Sequence, residues 1–157
     1  MCNGRLIALS VLAVTVLQAG CATQPEGAGQ ASSRPTVERV GLSATRLNAG
    51  EIGQAYLIQR DPNTDVIVQV SGVPDWVTAP VHLYAYIHQG SCANLGPVQY
   101  PLTSRVLATG EYDSYLTLRN SVPVSFGAMH SGAHALVVKS APADWNTTLF
   151  CGDLKAG

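Results

Sequence analysis

The feature that most narrows what this chain can fold into is the alternation in residues 81–88, VHLYAYIH. Val81, Leu83, Ala85 and Ile87 occupy one set of alternate positions, and His82, Tyr84, Tyr86 and His88 the other. Successive side chains of an extended strand point to opposite faces, so the segment predicts a half-buried β-strand with an apolar inner face. Its other face carries imidazoles and phenols, more chemistry than a merely wetted surface requires. Residues 89–100, QGSCANLGPVQY, interrupt the alternation with Gly, Pro, Asn and Cys92 and predict a loop running on from that strand.

The same pattern recurs along the chain. Residues 65–71 set Val66, Val68 and Val70 against Asp65, Ile67, Gln69 and Ser71. Residues 40–48 and 52–60 predict two further strands, separated by an Asn-Ala-Gly turn, and Asp61-Pro62-Asn63 predicts the next turn. Residues 98–107 read as short strand and loop, and residues 111–119 alternate Leu116 and Leu118 with Tyr115, Thr117 and Arg119. A Pro- and Gly-containing connection over 120–132 leads to AHALVVKS (133–140), apolar on both faces as a central strand would be, and residues 147–151 close the domain. No helix of useful length is predicted. Seven to eight short strands broken by turn signals predict an all-β fold, a single antiparallel Greek-key β-sandwich or flattened barrel. Charged residues are 12% of the chain and the formal net charge is -1, so no field exists to hold nucleic acid.

The N-terminus is of another kind. Residues 6–17, LIALSVLAVTVL, are an apolar run behind Arg5, shorter than the roughly 20 residues a helix needs to span a bilayer. Gln18-Ala19-Gly20-Cys21 follows. Residues 1–20 therefore predict a secretory signal peptide. The small pair before Cys21 resembles the lipobox of bacterial lipoproteins, although Gln18 stands where that family usually has Leu. The resemblance implies cleavage before Cys21 and its lipidation, and Ala22 resembles the residue of lipoproteins sent to an outer membrane. Residues 22–35, ATQPEGAGQASSRP, have no apolar periodicity and predict a flexible tether with a reach of roughly 20 Å. The folded domain is expected over 36–157.

Cysteine arithmetic agrees. Of Cys2, Cys21, Cys92 and Cys151 the first goes with the leader. Cys92 and Cys151 lie in no C-x-x-C pair, so a thiolate zinc site is not expected, and in an oxidising compartment they should be bonded to each other. Cys21 is then the odd one, and lipidation gives it a use.

Tyr86-Ile87-His88, Gly90-x-Cys92, Gly96-Pro97, Ala135-Leu136-Val137-Val138-Lys139 and Cys151-Gly152-Asp153 occur in an order that resembles the copper/zinc superoxide dismutase sandwich and its relative, the chordin-type (CHRD) domain. The resemblance implies a sandwich with an H-x-H strand, a disulfide-carrying loop and a late apolar strand. It also implies where metal ligands would stand. The four copper-histidine positions fall on Tyr86, His88, Val98 and Lys139, so one imidazole of four is present. The zinc loop would lie between Pro97 and Leu116, an interval with no histidine and only Glu111 and Asp113 as acids. The substrate-guiding arginine falls on Thr148. Valine offers no donor and lysine brings a cation of its own, so the expectation is no metal cofactor and no dismutase activity.

The remaining histidines do not form a site. His82 and His88 are six residues apart on one strand, about 20 Å. His130 and His134 have i,i+4 spacing, but Gly132 between them points to a loop. No Gly-x-Ser-x-Gly or phosphate-binding loop occurs. The reading is an exported lipoprotein of the bacterial envelope, anchored by Cys21, most simply in the outer membrane. Its non-catalytic sandwich would serve as a binding or structural module, presenting His82, Tyr84, Tyr86, His88 and Lys139 to an envelope protein or glycan. The alternative is copper or zinc binding, or residual dismutase-like activity, centred on His88.

Overall fold

The computed structural model describes residues 34–107 and 115–155. The expected signal segment, Cys21 and nearly all of the expected tether lie outside the described residues. The folded part is antiparallel β throughout. Its strands are β1 (Val37–Ala44), β2 (Gly53–Arg60), β3 (Asn63–Val70), β4 (His82–Ser91), β5 (Asn94–Leu107), β6 (Leu116–Val122), β7 (His134–Ser140) and β8 (Thr148–Leu154).

The order across the sheet is β5-β4-β7-β8-β1-β2-β3-β6. β1 is the corner. Its residues from Val37 to Leu42 pair with β2, while Ser43 and Ala44 pair with Phe150 and Cys151 of β8. One continuous sheet thereby curls into two facing layers, β1-β2-β3-β6 and β5-β4-β7-β8. The chain runs β3 to the β4–β5 hairpin and returns in β6 beside β3, which is the Greek-key path. This is the superoxide dismutase-like half-barrel the resemblance implies, with one disulfide between Cys92 and Cys151.

The core follows the alternation. β3 has a strict in-out burial pattern, with Val66, Val68 and Val70 fully buried. Leu83, Ala85 and Ile87 of β4 meet Leu136 and Val138 of β7 and Phe150 of β8 in the same apolar cluster. A short helix, α1 (Phe126–Met129), sits in the β6–β7 connection and sends Met129 into this core.

Several boundaries differ from the sequence reading, for identifiable reasons. The strand expected over 40–48 starts at Val37 and ends at Ala44, because Arg46–Asn48 turns into a 3₁₀ helix that buries Asn48. The loop expected after His88 is instead a tight hairpin. Ser91 pairs with Asn94, and β5 runs fourteen residues through Gly96 and Pro97. Gly and Pro are tolerated there because β5 is an end strand of the sheet, where a missing backbone donor costs little.

Candidate functional site

β4 and β7 build the candidate face. Tyr84 lies opposite Lys139, Tyr86 opposite Val137, and His88 opposite Ala135. On the other side of β4, Tyr86 pairs with Pro101 and His88 with Val98, past register shifts in the ladder. The four positions that correspond to copper ligands are thus neighbours on the outer face of one sheet layer. They are also chemically different from a ligand set. The Lys139 ammonium lies 5.9 Å from the centroid of the Tyr86 ring, within cation–π range. The Tyr86 ring meets His88 edge to face, with centroids 6.3 Å apart.

His88 differs from the rest of its row. His82, Tyr84, Tyr86 and Lys139 are half-buried, whereas His88 is only 8% exposed. The cause is the disulfide. Cys92 sits at the tip of the β4–β5 hairpin and Cys151 on β8, with β7 between them. The tip must therefore fold across the outer face of β7 to reach β8. Gly90 makes the bend at φ 88°, where a Cβ would come within 2.4 Å of the Asn94 carbonyl oxygen. The Gly90 amide donates to Ala133 O at 2.9 Å and the Cys92 amide to an Asp153 carboxylate oxygen at 2.6 Å. This covering leaves Ala135 and Val137 fully buried although they point away from the core. It also brings the Gly96 carbonyl oxygen to 2.9 Å from His88 Nδ1, which must be the protonated nitrogen. His88 Nε2 is buried with no hydrogen-bond partner.

Copper or zinc chemistry of the dismutase kind would need several imidazoles converging on one point. The residues at this face do not fit that group: a phenol, a valine and an ammonium surround one histidine. Among the described residues no group of three or more His, Cys, Asp or Glu is arranged to hold a metal ion. His82 stands at the far end of β4, opposite Leu107.

The sequence reading passed over one pair. His130, placed in a loop, has its Nδ1 2.6 Å from Phe126 O and its Nε2 paired with the Glu38 carboxylate. Phe126 stacks on the ring with centroids 4.5 Å apart. Burial alone would lower the imidazole pKa, but the Phe126 carbonyl, the Glu38 hydrogen bond and the Glu38 charge outweigh it, and the value is raised. Both ring nitrogens face acceptors, so imidazolium is the form that satisfies them. No signal in the sequence connects two residues ninety-two positions apart.

Fold and face together define a disulfide-bonded Greek-key β-domain whose outer face carries aromatic rings and a cation in place of a metal cluster. Comparison of the chain with protein-family models, with curated proteins and with solved structures gives no significant match.

Proposed function

We propose that this protein is a lipid-anchored, non-catalytic module of the bacterial envelope that engages an envelope partner through the outer face of β4 and β7. The observation that carries the reading is Lys139 poised over Tyr86, beside Tyr84. A cation and two half-buried phenols on adjacent strands favour stacking and hydrogen bonding to a partner surface. His88 supports the face from beneath the hairpin without being offered to solvent. Cys21 carries the anchor, residues 22–35 tether the domain, and the outer membrane is the expected location.

Two experiments test this. Tyr84→Ala and Tyr86→Ala should leave the melting transition nearly unchanged while removing the envelope component recovered by in-cell crosslinking; recovery at the wild-type level would sink the binding reading. Cys21→Ser should abolish palmitate labelling and release the protein from the membrane fraction. Labelled, membrane-bound Cys21→Ser protein would refute the anchor independently of the face.

A further inference from the structure

The β1–β2, β3–β4 and β7–β8 connections all emerge at one end of the half-barrel, as the antiparallel pairings require. Among the described residues, four of the eight exposed large hydrophobics lie in these connections, Leu47, Ile52, Trp76 and Trp145, and Tyr115 immediately precedes β6, whose Leu116 pairs with Val70 at the same end. Both tryptophans of the chain are among them. An apolar surplus gathered toward one end of a domain marks a place of contact.

At this end lies a shallow, open cleft of about 360 Å³ lined by Leu47, Asn48, Glu51, Val73, Asp75 and Trp76, among others. Its rim is held in place. The Ser71 amide donates to Ile52 O and the Ile52 amide to Ser71 Oγ, both at 2.8 Å, and Ser71 Oγ also bonds the Glu51 carboxylate. Asp144 Oδ1 accepts from Thr78 Oγ1 at 2.6 Å, tying the β3–β4 loop to the β7–β8 turn. A site fixed before binding loses less entropy on occupation.

The polar chemistry of the lining is one-sided. Glu51 and Asp75 supply carboxylates. Asn48 is 3% exposed; its amide nitrogen is 3.5 Å from Gly72 O, and its Oδ1 is buried with no donor. No Lys, Arg or His lines the cleft. Such a site asks for a ligand that donates hydrogen bonds and has an apolar face to lay on Trp76. The two carboxylates repel phosphates and anionic headgroups. One aromatic ring, instead of a cage of rings, suits a flat sugar better than a quaternary ammonium.

We infer that this cleft is a glycan-binding subsite, in which a sugar ring stacks on Trp76 and its hydroxyls donate to Asp75 and Glu51. The site is separate from the Tyr84/Tyr86 face and stands whether or not that face binds a partner.

The test uses full-length protein carrying Trp145→Phe, so that Trp76 is the sole fluorescent tryptophan. It is titrated with cellotetraose, maltotetraose and the β-1,4-linked N-acetylglucosamine tetrasaccharide, and separately mixed with phosphatidylethanolamine/phosphatidylglycerol vesicles containing brominated lipid. The expected result is a saturable Trp76 emission change with at least one oligosaccharide. Calorimetry should show at least a tenfold loss of affinity in Trp76→Ala, a several-fold loss in Asp75→Ala and no change in Val37→Ala, an exposed position at the opposite end of the domain. Both test residues at the cleft are exposed, so melting curves should remain close to wild type. No saturable response to any of the three sugars overturns the inference, and so does binding that survives Trp76→Ala. Quenching of Trp76 by brominated lipid without sugar binding also overturns it, and assigns this end to the membrane surface.

Discussion

At the scale of single residues, His130 and Trp145 carry the clearest consequences. The His130 pKa is raised in the fold, so its ion pair stabilises most below the unfolded imidazole value of about 6.5. That stability is lost as pH rises through the higher folded value. Thermal melts should therefore show the midpoint falling as pH increases from about 6.5 upward through the raised folded value, with His130→Gln flattening this slope. An unaltered slope in the variant would show that another group governs it. Trp145 is 86% exposed yet holds a left-handed backbone, φ 67°. For a non-glycine residue that conformation costs on the order of 1–2 kcal/mol. Trp145→Gly should raise unfolding stability by about 1 kcal/mol in urea titrations, since little packing is lost with an exposed ring. His88 teaches a different lesson. Its place in the alternation was legible from residues 81–88, but its burial was not, because the covering strand segment comes from beyond the turn.

Among the elements, the β4–β5 hairpin decides the character of the candidate face. Gly, Asn, Pro and Cys between 89 and 100 spell a loop by local propensity, yet the segment is a ladder. Tertiary pairing outweighs local preference in strands, particularly where a cysteine pins the hairpin tip to β8. Cys92→Ser releases a constraint spanning a separation of 59 residues, worth roughly 4 kcal/mol on the chain-entropy estimate. Its expected signature is local as well as global. Amide exchange should rise at Gly90 and Cys92, whose donors bond Ala133 O and Asp153, and His88 should become reactive to diethylpyrocarbonate. A variant with wild-type exchange at these amides would mean that the hydrogen bonds alone hold the tip down. By contrast, β3 and β7 were readable directly. The valines of β3 alternate into the core, and β7 is apolar on both sides because one side packs inward and the other lies under the hairpin.

For the whole molecule, one core spans both layers, and Phe150 is the largest side chain fully buried in it. Phe150→Ala should cost about 3–5 kcal/mol, comparable with the total stability of an ordinary domain, roughly 5–15 kcal/mol. Urea unfolding of that variant should remain a single transition at a much lower midpoint. Two separated transitions would instead show that the layers fold independently. What the sequence by itself determined was the class of fold and the poverty of the metal site. Both depend on residue type at period two and on the identities Tyr86, Val98 and Lys139, which no folding can change. The tertiary structure decided which side chains became neighbours: Lys139 over Tyr86, Glu38 on His130, Asn48 against the Gly72 carbonyl. Those contacts join residues remote in the chain, and only closure of the sheet on itself brings them within reach.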